Sequence, residues 1–115
     1  MAKVVLLSPP YIQDYMRNAR CDFVSLSHSN WYPIWLGEAG CYLESKGHKT
    51  LLLDAQVQGL SHQETLEKIK EFKPDLVAIF TGRLSEDNDI NFGDQVAKQG
   101  YSSIFLGPYT SIDPV

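Results

Sequence analysis

The chain has 115 residues, 43% of them hydrophobic and 21% charged, which is the composition of one globular domain over residues 1–115. A formal net charge of -4 and a pI near 5.2 provide no basic surface for a nucleic acid or an anionic membrane, so neither partner is expected. The chain lacks a signal-peptide pattern and any apolar run near the roughly 20 residues that span a bilayer, which predicts a cytoplasmic protein.

The first predicted element is a buried strand from Lys3 to Pro10, with the sequence K-V-V-L-L-S-P-P. Its consecutive apolar residues are typical of a central parallel strand that is covered on both faces. Pro9 and Pro10 end the strand because proline has no N–H for the ladder. Ligands of open α/β sheets bind at the carboxyl ends of the strands, so Ser8, Pro9 and Pro10 are candidate site residues.

The next segment, Tyr11 to Tyr32, has neither a helical nor a strand period. A connection of about 22 residues is long for a compact domain, and such loops are usually functional or disordered. Aromatic residues such as Tyr11 and Trp31 provide flat apolar area, which favours a ligand-binding loop. The alternative is a surface loop that contains a short helix around Gln13 to Arg20.

A first helix is predicted to follow Pro33 and to end at Gly47, because Pro33 suits a first turn and Gly47 suits a C-cap. Gly37 and Gly40 each cost roughly 1 kcal/mol of helix propensity against alanine. We therefore expect the helix backbone to approach the sheet or a ligand closely. Cys41 lies within this helix and is predicted to be a small buried apolar residue with a reduced thiol.

A second buried strand, Lys49 to Leu53, is closed by Asp54. A turn or capping role is favoured for Asp54 over a contact with a ligand hydroxyl, because no G-x-G-x-x-G motif follows the first strand. The second helix then opens with the capping box Ser61 and Glu64. His62, in its first turn, is predicted to be exposed to solvent.

The third strand is predicted over Leu76 to Phe80 and runs into Thr81, Gly82 and Arg83. These residues provide a hydroxyl, a bare backbone and a guanidinium at the same edge of the sheet as Pro10. The sequence therefore predicts a ligand-binding edge here.

The last third of the chain is less periodic. Ser85 to Gln99 is predicted to be helical only from about Phe92 onward, and Tyr101 to Leu106 is the fourth strand. Four alternations of strand and helix predict a doubly wound α/β layer with parallel strands, right-handed crossovers and helices on both faces. No further element follows the fourth strand, so we expect a C-terminally truncated fragment of a longer protein.

Four segments in this order carry a resemblance to a known family: K-V-V-L-L-S-P-P, W-Y-P-I-W-L-G-E-A-G-C-Y-L-E-S-K-G-H-K-T-L-L-L-D-A, E-F-K-P-D-L-V-A-I-F-T and I-F-L-G-P-Y-T. Together they resemble the N-terminal cobalamin-binding domain of cobalamin-dependent radical S-adenosylmethionine enzymes. The resemblance covers nearly the whole chain. It implies a flavodoxin-like (Rossmann-like) parallel sheet in three α/β/α layers.

The resemblance also implies a cofactor site at the carboxyl edge. The corrin is expected over the first loop, from Ser8 to Trp31, and the nucleotide tail between Thr81-Gly82 and Gly107-Pro108. The implied cofactor-binding residues are Ser8, Pro9, Pro10, Tyr11, Trp31, Thr81, Gly82, Arg83, Gly107, Pro108 and Tyr109. No catalytic residue and no metal ligand is assigned within the chain.

The chain departs from the patterns of cobalamin proteins at several points. It has no D-x-H-x-x-G pattern, so a histidine ligand to cobalt is not expected, and His28 is the strongest nitrogen ligand in the loop. The second turn glycine of the family is Pro108 here, which removes an N–H donor from the expected tail pocket.

The chain also has no C-x-x-x-C-x-x-C motif. The iron-sulfur cluster and S-adenosylmethionine are therefore expected in a C-terminal radical domain in cis. The parent enzyme would carry out methyl transfer or an oxidative cyclisation, with the cofactor performing the difficult step.

Two other classes of function are open to this sequence. One is a flavodoxin-like signalling or nucleotide-binding domain that acts through protein contacts, although the first strand does not end in the clustered acids of a phosphoacceptor. The other is a hydrolase with Ser8, His28 and Asp54 as a triad, although no G-x-S-x-G elbow positions a nucleophile.

Overall fold

The computed structural model describes residues 1–16, 23–28 and 33–107, and these form an α/β fold around a parallel sheet. The strands are β1 (Lys3–Ser8), β2 (Tyr15–Met16), β3 (Phe23–Val24), β4 (Lys49–Asp54), β5 (Leu76–Phe80) and β6 (Ser103–Leu106). The helices are α1 (Ile34–Ser45), α2 (Ala55–Gln58), α3 (His62–Phe72) and α4 (Glu86–Lys98).

The sheet has four parallel strands in the order β4-β1-β5-β6. β1 is central and pairs with β4 from Lys3↔Lys49 to Ser8↔Asp54, and with β5 from Val4↔Leu76 to Leu7↔Ile79. The predicted α/β fold with a parallel sheet and a central first strand is therefore confirmed. Because the strands are parallel, their carboxyl ends meet at one edge.

Helices cover both faces of the sheet, which explains the unbroken apolar run of β1. On one face, α3 and α4 pack on a cluster made of Val5, Leu7, Leu53, Ala55, Ile69, Val77, Ile79, Phe92 and Val96. On the other face, α1 packs on a cluster made of Val4, Leu6, Leu36, Ala78 and Phe80. Successive residues of β1 alternate between the two clusters, so both faces of this strand are core.

Several local predictions are confirmed. The Ser61 hydroxyl accepts from the Glu64 N–H at 3.1 Å, and the Glu64 carboxylate accepts from the Ser61 N–H at 3.1 Å, which completes the capping box. The side chain of Asp54 caps α2 by accepting from the Val57 N–H at 3.4 Å. A Cβ at Gly40 would lie 3.0 Å from Leu6 Cδ1, so α1 does approach the sheet closely at this glycine.

The predicted start of α4 is wrong. The helix begins at Glu86 rather than near Phe92, and its buried side carries Asp89 and Gly93 as well as Phe92 and Val96. A carboxylate and a glycine at positions that face the sheet hide the apolar period, which is why the first half of the helix does not stand out in the sequence. β6 is also shorter than predicted, because it begins at Ser103.

Two predictions of burial are wrong. Cys41 is exposed, because α1 turns Leu36 and Gly40 toward the sheet and Cys41 lies on the outward side. His62 is half-buried rather than exposed to solvent, and its ring contacts that of Phe92 edge-on with centroids 5.4 Å apart.

The segment after β1 contains an antiparallel pair of short strands. β2 and β3 pair through Tyr15↔Val24 and Met16↔Phe23. Tyr15 and Met16 are each only 2% exposed. The alternative of a helix starting near Gln13 is therefore wrong for the described residues, and Arg17 to Arg20 lie outside them.

We expect a pH dependence of stability from the capping box. The pKa of Glu64 lies below its ordinary value because the carboxylate accepts hydrogen bonds from the backbone and side chain of Ser61, with a smaller contribution from Lys68. A carboxyl group whose pKa is lowered by folding stabilises the fold above its unfolded-state pKa and loses that effect as the pH falls through its folded-state pKa. The stability advantage of the wild type over Glu64→Gln should therefore shrink from about pH 6 toward about pH 3.

Urea unfolding at several pH values measures this difference. Glu67→Gln is the matched control, because Glu67 is exposed on the same helix and lies outside the capping box. An advantage over Glu64→Gln that stays constant with pH contradicts the prediction.

Candidate functional site at the carboxyl edge of the sheet

The carboxyl ends of the four parallel strands form the edge where the site is predicted. β1 ends at Ser8, β4 at Asp54, β5 just before Thr81, and β6 just before Gly107. The chain passes from β1 to β4 on one side of the sheet and then returns to β5 on the other side of β1. The crevice between the ends of β1 and β5 is therefore the topological switch point, where open α/β sheets bind their ligands.

The predicted site residues differ in how accessible they are. The buried ones are Ser8, Pro9, Pro10, Thr81 and Gly82. Gly107 is half-buried, and Tyr11 and Arg83 are exposed. Trp31, Pro108 and Tyr109 lie outside the described residues. The structure thus brings the ends of β1, β5 and β6 to one edge but leaves the first two buried.

Behind the end of β5 lies a polar network centred on the carboxylate of Asp89, which is 0% exposed. Its Oδ2 accepts from the hydroxyl of Thr81 at 2.8 Å and from that of Ser85 at 2.6 Å, and its Oδ1 accepts from the Asn88 amide at 3.1 Å. Buried carboxylates require such donors because water cannot reach them. The network joins β5 to the first turn of α4, and it commits the hydroxyl proton of Thr81 to the protein.

Gly107 is needed for a contact within the edge. Its φ is +139°, and a Cβ at this position would lie 2.6 Å from the backbone carbonyl oxygen of Thr81. The Thr81 N–H also donates to the Leu106 carbonyl at 2.9 Å. The missing side chain of Gly107 therefore allows the ends of β5 and β6 to stay together. From the sequence, this glycine is instead expected to lie against the nucleotide tail of a ligand.

An apolar cavity of about 350 Å³ opens beside these strand ends, on the face of the sheet that α1 covers. Its lining residues are Trp35, Leu36, Phe80, Leu106 and Gly107. Two aromatic rings, two leucines and a glycine backbone form walls suited to a flat apolar group. Trp35, the second residue of α1, is 59% exposed, so the cavity has an aromatic rim open to solvent.

The chain crosses the end of β1 through Pro10, Tyr11 and Ile12, which we call the strap. On the β4 side, Gln56 accepts from the Tyr11 N–H at 2.7 Å and donates to the Ile12 carbonyl at 2.6 Å. On the β5 side, the Pro10 carbonyl accepts from the Asn88 amide at 2.8 Å.

Two longer contacts also reach the strap. His62 Nε2 lies 3.3 Å from the Pro10 carbonyl oxygen, and the Tyr11 hydroxyl lies 3.5 Å from the Leu84 carbonyl oxygen. The strap is therefore tied to the segments that follow β4 and β5, on both sides of β1.

The outer surface of the edge carries exposed apolar side chains. Those on the segments that follow β1, β4 and β5 are Tyr11, Ile12, Val24, Leu26, Val57 and Leu84. Tyr11 lies next to Leu84, and Ile12 and Val57 line the same cavity, so these four provide neighbouring apolar area of the kind that contacts another apolar body.

His28 is held within the first loop by an acid. Its Nδ1 lies 2.6 Å from Asp14 Oδ2, while its own side chain is 75% exposed. Asp54 caps α2, and Ser8 is buried at the end of β1. His28 is thus paired with Asp14 and not with Asp54, so this arrangement does not support the hydrolase alternative.

Comparison of the chain with protein-family models, with curated proteins and with solved structures finds no match. Among residues 1–16, 23–28 and 33–107, no group of three or more histidine, cysteine or acidic side chains could hold a metal ion. Within the same residues, no helix is long and apolar enough to cross a membrane.

Four residues that build the edge were not predicted from the sequence: Trp35, Gln56, Asn88 and Asp89. A signal for the last two existed in T-G-R-L-S-E-D-N-D, where polar residues follow a buried strand that ends at a ligand-binding edge. No local sequence pattern indicates a role for Gln56, because that role depends on where the strap passes α2. For Trp35, the only indication in the sequence is its position in the first turn of α1.

We expect Gly107→Ala to destabilise the fold by about 3 kcal/mol, because it adds backbone strain to a clash with the Thr81 carbonyl. Gly47→Ala is the control. Gly47 also has a positive φ, at +89°, but a Cβ there meets nothing within 4 Å, so strain alone should cost about 1 kcal/mol. Urea unfolding measures both values, and equal losses would show that the Thr81 contact has no role.

Proposed function

We propose that the chain is the cobalamin-binding module of a cobalamin-dependent radical S-adenosylmethionine enzyme of the methyltransferase or oxidative cyclase type. The observation that carries the proposal is the apolar cavity beside the carboxyl ends of β5 and β6. Phe80 and Gly107 in its lining adjoin the strand ends, Thr81-Gly82 and Gly107-Pro108, between which the resemblance expects the nucleotide tail. The strand order β4-β1-β5-β6 supports a flavodoxin-like, doubly wound sheet for this module.

The residues of the cavity fit the aromatic base of the cofactor tail. A volume of about 350 Å³ falls in the range of ligand pockets, about 300–1,000 Å³. Trp35 and Phe80 provide ring faces for stacking, and Gly107 adds backbone without a side chain to the lining. The tail would therefore exchange water for apolar walls along most of its base.

The outer surface of the edge fits the corrin. A corrin is broad, flat and largely apolar, and the exposed side chains of Tyr11, Ile12 and Leu84 provide an apolar bed of matching character. Thr81 contributes to this site indirectly. Its hydroxyl donates to Asp89, and this network joins the end of β5 to the first turn of α4. Arg83 is exposed beside the bed and supplies a positive charge for the polar substituents of the ring.

When bound, the cofactor would supply methyl-carrier or redox chemistry at cobalt. The chain itself would bind the tail, orient the ring and exclude water from its lower face. S-adenosylmethionine and the iron-sulfur cluster would belong to a radical domain that follows in cis. No side chain of this module is assigned a catalytic role.

A second candidate is a flavodoxin-like nucleotide-binding domain. The observation that favours it is a polar cavity of about 450 Å³ between the strap and α2, on the opposite side of β1 from β5. Asp14 and Gln56 contribute to its walls. Nucleotide titration is therefore included in the test of the first candidate.

We expect hydroxocobalamin to bind to the wild-type chain and to shift both the corrin absorbance and the amide resonances of Phe80, Leu106 and Gly107. Leu106→Trp fills the cavity and should weaken binding by about tenfold or more. Ile104→Trp is the matched control, because Ile104 lies two residues earlier on the same strand, outside the cavity lining.

Circular dichroism and urea unfolding establish that both tryptophan variants fold. Absent shifts at high excess of hydroxocobalamin contradict the proposal. Shifts of the strap and α2 resonances with adenine nucleotides would favour the second candidate.

We expect His28 not to coordinate the cobalt, because the loop lacks the D-x-H-x-x-G spacing. The prediction rests on that spacing alone, since the Asp14 carboxylate engages only Nδ1, and Nε2 is the nitrogen that would face a metal. His28→Ala should therefore leave the paramagnetic resonance of the bound cobalt(II) form unchanged. Asp14→Asn is the companion variant, since it removes the charge that orients the imidazole. A nitrogen splitting that is present in the wild type and lost in His28→Ala would show that His28 is the lower ligand.

A further inference from the structure

We infer that the strap, Pro10 to Ile12, is a latch that closes the crevice between the ends of β1 and β5. A ligand can contact Ser8 or Thr81 only after the strap has lifted. The inference concerns access to the strand ends beneath the strap, because the outer bed of Tyr11, Ile12 and Leu84 and the apolar cavity are already open when the strap is closed. It rests on the proposed function only in taking a corrinoid as the ligand.

The first argument is the burial of the crevice. Ser8 is 1% exposed and Thr81 is 4% exposed, although both lie at the switch point where a ligand should bind. Pro9 and Pro10 are buried as well. The edge is therefore closed in this conformation. A ligand that contacts these residues must bind to a different conformation of the edge.

The second argument is the way in which the strap is held. Its ties to the flanking segments are hydrogen bonds between side chains and backbone, from Gln56 on one side and from Asn88 and His62 on the other. None of these bonds belongs to the sheet ladder. Lifting the strap thus breaks a few side-chain hydrogen bonds and leaves the pairing of β1 with β4 and β5 intact.

The third argument is the small apolar area that holds the strap down. Ile12 is 48% exposed and Tyr11 is 39% exposed, so the apolar area that the strap buries comes mainly from Pro10 and from the Tyr11 ring, which meets the ring of Tyr15 edge-on with centroids 4.9 Å apart. Segments with few buried apolar contacts open locally at a lower free energy than the whole fold. The strap is therefore the part of the edge that opens first.

The test is the rate at which a thiol placed under the strap reacts. Ser8→Cys is introduced into a chain that carries Cys21→Ser and Cys41→Ser, and its reaction with an aromatic disulfide reagent is followed by absorbance. Thr65→Cys in the same background reports global unfolding, because Thr65 is 0% exposed on α3 and distant in sequence from the strap.

The strap is loosened with Gln56→Ala and, separately, with Asn88→Ala. Each has a matched control that removes the same side chain from the same helix at an exposed position: Gln58→Ala for the first and Asn91→Ala for the second. If one loosened variant fails to fold, the other still provides the measurement.

We expect the thiol at position 8 to react faster than the thiol at position 65. Each loosened variant should accelerate the reaction at position 8 by about fivefold or more, since a typical hydrogen bond shifts an opening equilibrium by this factor. Position 65 should be unaffected relative to the matched controls. Equal rates at the two positions, or equal acceleration of both, would mean that the edge opens only by global unfolding and would overturn the latch.

The rate of hydroxocobalamin binding separates the latch from the proposed function. Faster association in Gln56→Ala than in Gln58→Ala supports both. Local opening at position 8 with no corrinoid binding supports the latch and contradicts the proposed function. Corrinoid binding without local opening contradicts the latch and leaves the proposed function standing.

Discussion

The pairing of β1 with β4 on one side and β5 on the other is the constraint on which the rest of the structure depends. β1 is apolar at successive positions, so both of its faces must be buried. α1 packs against one face, and α3 and α4 pack against the other. Because β1 joins its neighbours in parallel, every crossover leaves one strand at the carboxyl edge and enters the next at the amino edge. The long connection from β1 to α1 starts at the carboxyl edge, as do the segments that follow β4 and β5, and together they bring varied side chains to that edge.

The edge has two sides of different chemical character, separated by the plane of the sheet. Toward α1, rings and aliphatic groups such as Trp35 and Leu106 form an apolar cavity. Toward α4, Thr81 and Asp89 belong to a buried polar network that reaches the strap through Asn88. The apolar side has the walls of a ligand pocket, and the hydrogen-bonded side ties the end of β5 to the first turn of α4.

Much of the fold follows from local patterns. The sheet and most helices could be predicted, because their signals depend on residues that are close together in the sequence. These signals are the apolar runs of β1 and β5, the capping box at Ser61 and the glycine at the end of α1. The first half of α4 could not be predicted, because Asp89 faces the core there and its burial is possible only through hydroxyls from β5 and the N-terminal turn of the helix.

The site was predictable only in part for the same reason. Parallel strands determine that Ser8, Thr81 and Gly107 meet at one edge, and a single sequence is enough to infer that. Whether those residues are open or covered depends on the path of the strap, which is decided by contacts between residues 44 to 78 positions apart. No local pattern encodes pairs such as Gln56 with Tyr11 or Asn88 with Pro10.

The contact between Gly107 and Thr81 has a consequence for how this edge can diversify. The carbonyl oxygen of Thr81 occupies the place of any side chain at position 107, so selection can act there only to retain glycine. Tyr11, Leu84 and Arg83 are exposed and meet no such restriction. A randomised library of this edge should therefore vary the exposed loop positions and keep position 107 as glycine, so that the contact between the two backbones is retained.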